Sequence, residues 1–101
     1  MGLLDIFKRE DKTKLLLEKG AVVIDVRTPG EFKGGHVKGS INIPLDTIAK
    51  EIPRIKKMNK PVIACCASGM RSGSASIILK NNGIEACNGG SWGKVNRKIN
   101  S

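Results

Sequence analysis

The sequence is poor in aromatic residues and in histidine. Of its 101 residues only Phe7, Phe32 and Trp92 are aromatic, and His36 is the only histidine. Because few side chains are available for bases to stack on, and because no recognition motif is present, we do not predict nucleic-acid binding for this chain. His36 also comes from a different segment than the cysteines, so we predict no metal site and no cofactor.

Long hydrophobic runs are also missing. No apolar run approaches the roughly 20 residues that a helix needs to cross a bilayer. The N-terminus lacks the apolar segment and small-residue cleavage site of a signal peptide, so we expect no transmembrane segment and a cytoplasmic location. A length of 101 residues, with 40% hydrophobic and 27% charged residues, predicts one folded domain over residues 1–101, which we expect to be monomeric.

Cysteines are few and odd in number. Cys65, Cys66 and Cys87 do not suggest a disulfide framework, because the chain does not look secreted and an odd count leaves one thiol over. Adjacent cysteines also lack the usual spacing of zinc ligands. A reactive thiol is the better interpretation.

Positive charge is in excess. The formal net charge is +9, with lysines and arginines clustered at positions 56, 57, 60, 94, 97 and 98. Such a surface attracts anions, so we expect a small anionic substrate and, among macromolecules, an acidic protein partner.

The stretch that organises the chain is Pro61-Val-Ile-Ala-Cys-Cys-Ala-Ser-Gly-Met-Arg-Ser72. Residues 62–64 predict a buried strand, and residues 72–79 predict a helix with an apolar stripe. Cys66 then lies at the carboxyl end of a strand and just before a helix, where unpaired N–H groups and the helix dipole favour a thiolate.

The remaining segments alternate between strand and helix. We predict a helix at 10–19, a strand at 21–26, a glycine-rich loop at 27–36, a strand at 40–44, a helix that Asp46 caps and Pro53 ends or kinks, a strand at 85–88 and a helix from Trp92. This alternation predicts an α/β fold with a mostly parallel sheet of four or five strands and helices on both faces. Residues 1–7 fit a peripheral strand, a docking turn or a weak membrane-surface anchor.

Four motifs, in order, resemble the rhodanese-like sulfurtransferases. They are Asp25-Val-Arg-Thr-Pro-Gly-Glu-Phe, Gly35-His-Val with Gly39-Ser-Ile-Asn-Ile-Pro44, Cys66-Ala-Ser-Gly-Met-Arg-Ser72, and Gly89-Gly90 followed by Trp92. The resemblance implies a single-domain rhodanese fold. It also implies that Cys66 takes sulfane sulfur from a donor such as thiosulfate, carries it as a persulfide, and passes it to cyanide, a thiol or a partner protein.

The loop after Cys66 fits this chemistry. Gly69 allows the loop to curl, so that N–H groups of Ala67, Ser68, Gly69, Met70, Arg71 and Ser72 surround a sulfur anion. Six residues from Cys66 to Arg71 match sulfur-transferring rhodaneses, whereas the related phosphatases and arsenate reductases have one residue more. Arg71 either binds an oxyanion donor at the rim or turns inward to fix the loop.

Other candidate residues frame the loop. Asp25 and Arg27 stand at the carboxyl end of the first core strand, where an ion pair or hydrogen bonds hold the loop at Cys66, or where Arg27 contacts substrate. Trp92 either packs in the core or shields the persulfide from water. The resemblance assigns Glu31 and His36 to the scaffold, with His36 hydrogen-bonded to the backbone.

The other two cysteines are Cys65 and Cys87. Cys65 alternates with Cys66 along the strand and so points to the opposite face, which assigns it to the core. Cys87 is either core or a resolving thiol for Cys66. Three hypotheses follow: an active sulfurtransferase, a sulfur-carrying or partner-binding module with little activity on free thiosulfate, and a redox protein that pairs Cys66 with Cys87.

Overall fold

The computed structural model describes residues 12–101, and the predictions for residues 1–7 lie outside this range. In chain order the elements are α1 (Lys12–Glu18), β1 (Val22–Asp25), α2 (Pro29–Lys33), β2 (Ile41–Asn42), a 3-10 helix (Leu45–Glu51), α3 (Ile52–Met58), β3 (Val62–Cys66), α4 (Met70–Asn81), β4 (Ala86–Ser91) and α5 (Trp92–Ile99).

The described strands form one parallel sheet with the order β2-β1-β3-β4. β1 and β3 are the central strands. All five residues of β3 are buried, because helices cover both faces of the sheet. The prediction of an α/β fold with a parallel sheet is therefore confirmed, with four strands in the described part of the chain.

Side chains of β3 alternate between two separate cores. The first, here called the Cys66-side core, contains Ala64 and Cys66 with residues of β1, the 3-10 helix, α3 and α4. The second, called the Cys65-side core, contains Ile63 and Cys65 with Leu16 of α1 and Val95 of α5. The strand period of two thus places adjacent cysteines on opposite faces, as predicted.

The segment around Pro53 differs from the prediction. Asp46 caps no helix: a 3-10 helix begins after Pro44 without a side-chain cap. Pro53 does not end a helix either, because it lies in the first turn of α3. A proline is well tolerated there, since its missing N–H would have no intrahelical partner.

The last strand is longer than predicted. β4 continues from Ala86 through both glycines to Ser91, with a register shift that pairs Cys65 with Gly90. Gly89 is required by packing rather than by a turn. A Cβ atom there would lie 2.7 Å from methyl groups of Ile63 and Val95.

None of the helices between residues 12 and 101 combines the length and the apolar character that a membrane crossing needs.

Candidate active site

Cys66 is the last residue of β3, and α4 begins four positions later at Met70. Between them Gly69 adopts a φ of +107°, a left-handed conformation that side chains disfavour. This turn brings the chain back over the cysteine. Ala67 and Ser68 are exposed on top of the loop, whereas Cys66 itself has a relative exposure of 0%.

Three hydrogen-bonding groups surround the Cys66 sulfur. The Gly69 N–H donates to Sγ at 3.0 Å and the Ser72 N–H donates at 3.4 Å. The Ser72 Oγ lies 3.3 Å from the same sulfur. Backbone N–H groups that converge on one atom form an anion-binding concavity, so the loop is built to hold negative charge on sulfur.

The pKa of the Cys66 thiol reflects a competition. Burial would raise this pKa, but hydrogen bonds from the Ser72 hydroxyl and from the N–H groups of Ser72, Gly69 and Ser68 outweigh burial and lower it below its ordinary value. Cys66 therefore forms a thiolate more readily than an ordinary cysteine does.

Cys65 has the opposite character. It is also fully buried, but burial raises the pKa of its thiol to about 12, and the nearby Asp25 carboxylate adds to the effect. It packs in the Cys65-side core. A thiol with this pKa stays protonated at neutral pH, which agrees with its assignment to the core.

Cys87 belongs to the same core as Cys65. Burial raises the pKa of its thiol, and its sulfur lies 3.8 Å from Thr13 Oγ1 in α1. Cys66 packs in the core on the other face of the sheet. Because the two thiols pack on opposite faces of the sheet, this arrangement favours a core role for Cys87 over the role of a resolving thiol for Cys66.

Arg71 lies at the rim of the loop rather than turned inward. Its guanidinium binds the Glu31 carboxylate through two contacts of 2.8 and 3.0 Å. Glu31 also forms a capping box with Thr28 at the start of α2. Hydrogen bonds from Arg71 and then from Thr28 lower the pKa of Glu31 to about 2. The pair ties the loop after Cys66 to α2.

Asp25 and Arg27 form a buried ion pair on the Cys65 side of the sheet. Arg27 Nη2 donates to Asp25 Oδ2 at 2.7 Å and to the Gly35 carbonyl at 2.6 Å. Arg27 Nη1 donates to the Glu31 carbonyl at 3.3 Å. These bonds hold the loop that presents Glu31 to Arg71, and Arg27 has an exposure of only 5%. The geometry therefore favours a scaffold role for Arg27 over substrate contact.

Trp92 completes this scaffold. Its ring lies 5.1 Å from the Arg27 guanidinium carbon, a cation–π contact, and its edge packs against Gly35. These contacts favour packing over shielding of the sulfur. His36 behaves as predicted, because its Nδ1 lies 2.7 Å from the Phe32 carbonyl oxygen.

Asn88 also belongs to this site, although the sequence analysis does not single it out. Its side chain hydrogen-bonds to Ser72 Oγ, to the Gly69 carbonyl and to the Gly90 N–H. The available signal was its position, since it is a polar residue at the end of the strand predicted over 85–88, which follows the helix after Cys66. Within the described residues, no group of three or more metal-ligating side chains lies together.

The sequence matches the family model described as the rhodanese-like domain over residues 10–92. An uncharacterized protein of Bacillus subtilis, YqhL, is 44% identical over 63 residues, which cover 62% of this chain and 49% of that protein. A tRNA uridine(34) hydroxylase of Salmonella newport is 32% identical over 85 residues, 79% of this chain but 24% of the enzyme. The chain thus spans half or less of these two relatives.

A solved structure shows the same fold. The Escherichia coli rhodanese with anions has a TM-score of 0.66 and 34% identity, and the match covers 73% of this chain and 89% of that one. The loop around Cys66, the parallel sheet and the extent of the family match lead to one conclusion: the chain belongs to the rhodanese-like domain family.

Proposed function

We propose that this protein is a sulfurtransferase that moves sulfane sulfur from a donor such as thiosulfate to a thiophilic acceptor through a persulfide on Cys66. The observation that carries the proposal is the set of hydrogen bonds around the Cys66 sulfur, at 3.0 to 3.4 Å from Gly69 and Ser72. A thiolate is both the nucleophile and, once loaded, the leaving group of this chemistry.

The first step is attack on the donor. The Cys66 thiolate attacks the outer sulfur of thiosulfate, a new S–S bond forms, and the bond to the sulfonate sulfur breaks. Sulfite leaves with the electron pair of that bond. The negative charge then lies on the outer sulfur of a Cys66 persulfide, within reach of the N–H groups of the loop.

The second step regenerates the free Cys66 thiolate. A nucleophile such as cyanide or a thiolate attacks the outer sulfur, and the S–S bond of the persulfide breaks toward Cys66. With cyanide the product is thiocyanate, and the thiolate is regenerated. No external oxidant or reductant is consumed.

Access to the sulfur requires movement. Cys66 has no exposed surface, while Ala67 and Ser68 above it are exposed. The donor therefore reaches the sulfur only when the loop or the Cys66 side chain shifts outward. The exposed ion pair of Arg71 and Glu31 holds the rim of the loop. Because such a pair is weak, an oxyanion of the donor can replace Glu31 as the partner of Arg71.

The direct test is the intact mass of the protein after incubation with thiosulfate. We expect a gain of one sulfur atom that cyanide removes, and its loss in Cys66→Ser. Cys87→Ser is the matched control and should load normally, because Cys87 lies in the opposite core. Sulfur loading of Cys66→Ser at the wild-type level would refute the proposal.

A second candidate function is sulfur transport on behalf of an acidic protein partner, with little use of free thiosulfate. Met70 and Ile77 favour it: they are 81% and 59% exposed, and their spacing of seven residues places them on one face of α4, beginning at the catalytic loop. The net charge of +9 fits an acidic partner.

The two candidates differ in the source of sulfur. A carrier forms the Cys66 persulfide only when a protein donor such as a cysteine desulfurase is present, and Met70→Ser with Ile77→Ser then slows loading. A thiosulfate sulfurtransferase loads without any protein, and these two changes leave its rate unaltered.

A further inference from the structure

Asn88 connects two of the residues that contact the Cys66 sulfur. Its Nδ2 donates to the Gly69 carbonyl at 2.9 Å, and its Oδ1 accepts from Ser72 Oγ at 2.7 Å and from the Gly90 N–H at 2.9 Å. Gly69 and Ser72 in turn hold the sulfur. One side chain from β4 therefore lies behind the whole catalytic loop.

The backbone partners fix the orientation of the Asn88 amide. The Gly90 N–H can only donate, so the atom facing it must be the amide oxygen. The Gly69 carbonyl can only accept, so the atom facing it must be the amide nitrogen. Because Ser72 Oγ faces the same oxygen as Gly90, the Ser72 hydroxyl must donate its proton to Asn88.

This donation leaves the Ser72 hydroxyl with no proton for Cys66. A hydroxyl carries one proton, and here it points to Asn88 Oδ1. The contact of 3.3 Å between Cys66 Sγ and Ser72 Oγ is then a bond in which the thiol S–H donates to the hydroxyl oxygen. That arrangement suits the neutral thiol and not the thiolate.

We propose that Asn88 is a positioning residue that controls the Ser72 hydroxyl, and thereby the reactivity of Cys66. In the thiol state the Ser72 proton points to Asn88. When the thiol proton leaves to solvent, the hydroxyl rotates and donates to the sulfur, while Asn88 Oδ1 keeps its bond from the Gly90 N–H. The Asn88 oxygen and the sulfur anion thus compete for one proton.

Several charged or titratable groups share this end of the sheet. Arg71 of α4 and Cys65 of β3 interact electrostatically with Cys66. Asp25 ends β1 and Arg27 lies two residues later, Glu31 lies on α2, and Lys94 of α5 packs beside Gly90. None of them hydrogen-bonds to the Ser72 hydroxyl among the bonds of the described residues, so the competition is confined to Asn88 and the sulfur.

Two substitutions separate this role from simple anchoring of the loop. Asn88→Asp and Asn88→Ala both remove the donor to the Gly69 carbonyl. The aspartate keeps an acceptor for the Ser72 proton and strengthens it with a negative charge, whereas alanine removes the acceptor. The aspartate also adds a negative charge near Cys66 and sets a carboxylate oxygen against the Gly69 carbonyl. These two effects persist when Ser72 is replaced by alanine, so the part of the difference that disappears without Ser72 reports on the acceptor.

The measurement is the rate of Cys66 alkylation by iodoacetamide as a function of pH, with the modified cysteine identified by mass spectrometry. At pH values below the midpoint of the alkylation profile, we expect Asn88→Asp to react about tenfold more slowly than Asn88→Ala. A tenfold difference in rate corresponds to the energy of about one hydrogen bond to a charged group. Asn88→Ala alone should react at least as fast as wild type. In the Ser72→Ala background the difference between the aspartate and alanine variants should shrink.

Asn82→Asp is the control for charge. It makes the same chemical change at the C-terminal end of α4, where the Asn82 side chain donates to the Ile78 carbonyl. Along the helix axis, Asn82 lies about 18 Å from Met70 at the start of α4. This substitution should leave the profile unchanged, and thermal melting verifies that each variant folds.

Equal profiles for the two Asn88 variants would overturn the proposal, as would a difference that persists undiminished without Ser72. If Asn88→Asp does not fold, slowed alkylation in Asn88→Ala would assign Asn88 to anchoring alone. The inference rests on the proposed function only for the choice of Cys66 as the reacting thiol. Alkylation needs no sulfur donor, so either idea can fail without the other.

Discussion

Cys65 and Cys66 are neighbours in one strand and both are fully buried, yet the pKa values of their thiols shift in opposite directions. Burial raises the pKa of Cys65 to about 12, whereas the pKa of Cys66 is lowered. The difference comes from the hydrogen-bond donors that each sulfur meets. Cys65 meets apolar side chains and the Asp25 carboxylate, and Cys66 meets the N–H groups of a loop that precedes a helix.

The comparison shows that burial alone does not make a thiol inert. On the Cys65 side, apolar packing and a buried ion pair stabilise the fold. On the Cys66 side, a positive-φ glycine and a helix start provide donors that offset the cost of a buried negative charge. Each side can be perturbed by itself.

The largest expected effect is the selectivity of thiol alkylation. The pKa of Cys65 at about 12 lies three units above the ordinary value of 9.0, and that of Cys66 lies below it. At pH 7 Cys66 should therefore react at least about thirtyfold faster than Cys65, because its larger thiolate fraction outweighs the lower intrinsic nucleophilicity of a thiolate with a lower pKa. Peptide mapping after limited iodoacetamide treatment measures the ratio, and comparable labelling of the two would contradict the comparison.

A large loss of stability is expected for Arg27→Gln. The change leaves the Asp25 carboxylate buried without its cation, which costs about 3 kcal/mol or more of the free energy of unfolding. Denaturant titration measures this cost. The matched control is Arg54→Gln, because Arg54 pairs with Glu51 on the surface and should change stability by less than about 1 kcal/mol. A similar loss of unfolding free energy in both variants would show that the buried ion pair contributes no more to stability than the surface pair does.

A moderate loss is expected for Gly89→Ala on the Cys65 side. The new methyl group would lie 2.7 Å from Ile63 and Val95, and overpacking of this kind costs about 1–3 kcal/mol. Gly30→Ala is the control, because no atom lies within 4 Å of a Cβ at that position of α2. Thermal melting should show destabilisation at Gly89 only, and an unaffected Gly89→Ala would indicate that the Cys65-side core is less tightly packed than described.

The smallest effect concerns the rim on the Cys66 side. The folded-state pKa of Glu31, about 2, lies below the ordinary 4.5, so its pairing with Arg71 stabilises the fold above pH 4.5 and is lost as the pH falls toward 2. The melting temperature of wild type should exceed that of Glu31→Gln at neutral pH and converge with it in this acidic window. A gap that stays constant with pH would exclude the ion pair as its cause.

Much of the site was predictable because its chemistry is local in sequence. Cys66, Gly69, Arg71 and Ser72 fall within seven consecutive residues, and strand alternation alone separates Cys65 from Cys66. The sequence also allows an ion pair between Asp25 and Arg27, because both residues stand at the carboxyl end of one strand. The error at Pro53 arose because a proline fits the first turn of a helix as well as its end. The error at Asp46 arose because the 3-10 helix already begins at Leu45, which leaves Asp46 inside it.

Long-range contacts were not predictable in this way. Asn88 is 16 positions from Ser72 along the chain, and only the pairing of β4 with β3 brings the two together. Likewise the partner of Arg71 is Glu31, 40 positions away. No pattern of spacing encodes such distances.

The sequence by itself determined the parallel α/β fold, the thiol at the end of β3 and the separation of the two neighbouring cysteines, because these depend on period, turn chemistry and element order. The tertiary structure alone decided which groups hold the loop: Asn88 behind Ser72 and Gly69, and Glu31 across from Arg71. Hydrogen bonds between distant segments depend on how the elements pack, and only the folded chain fixes that packing.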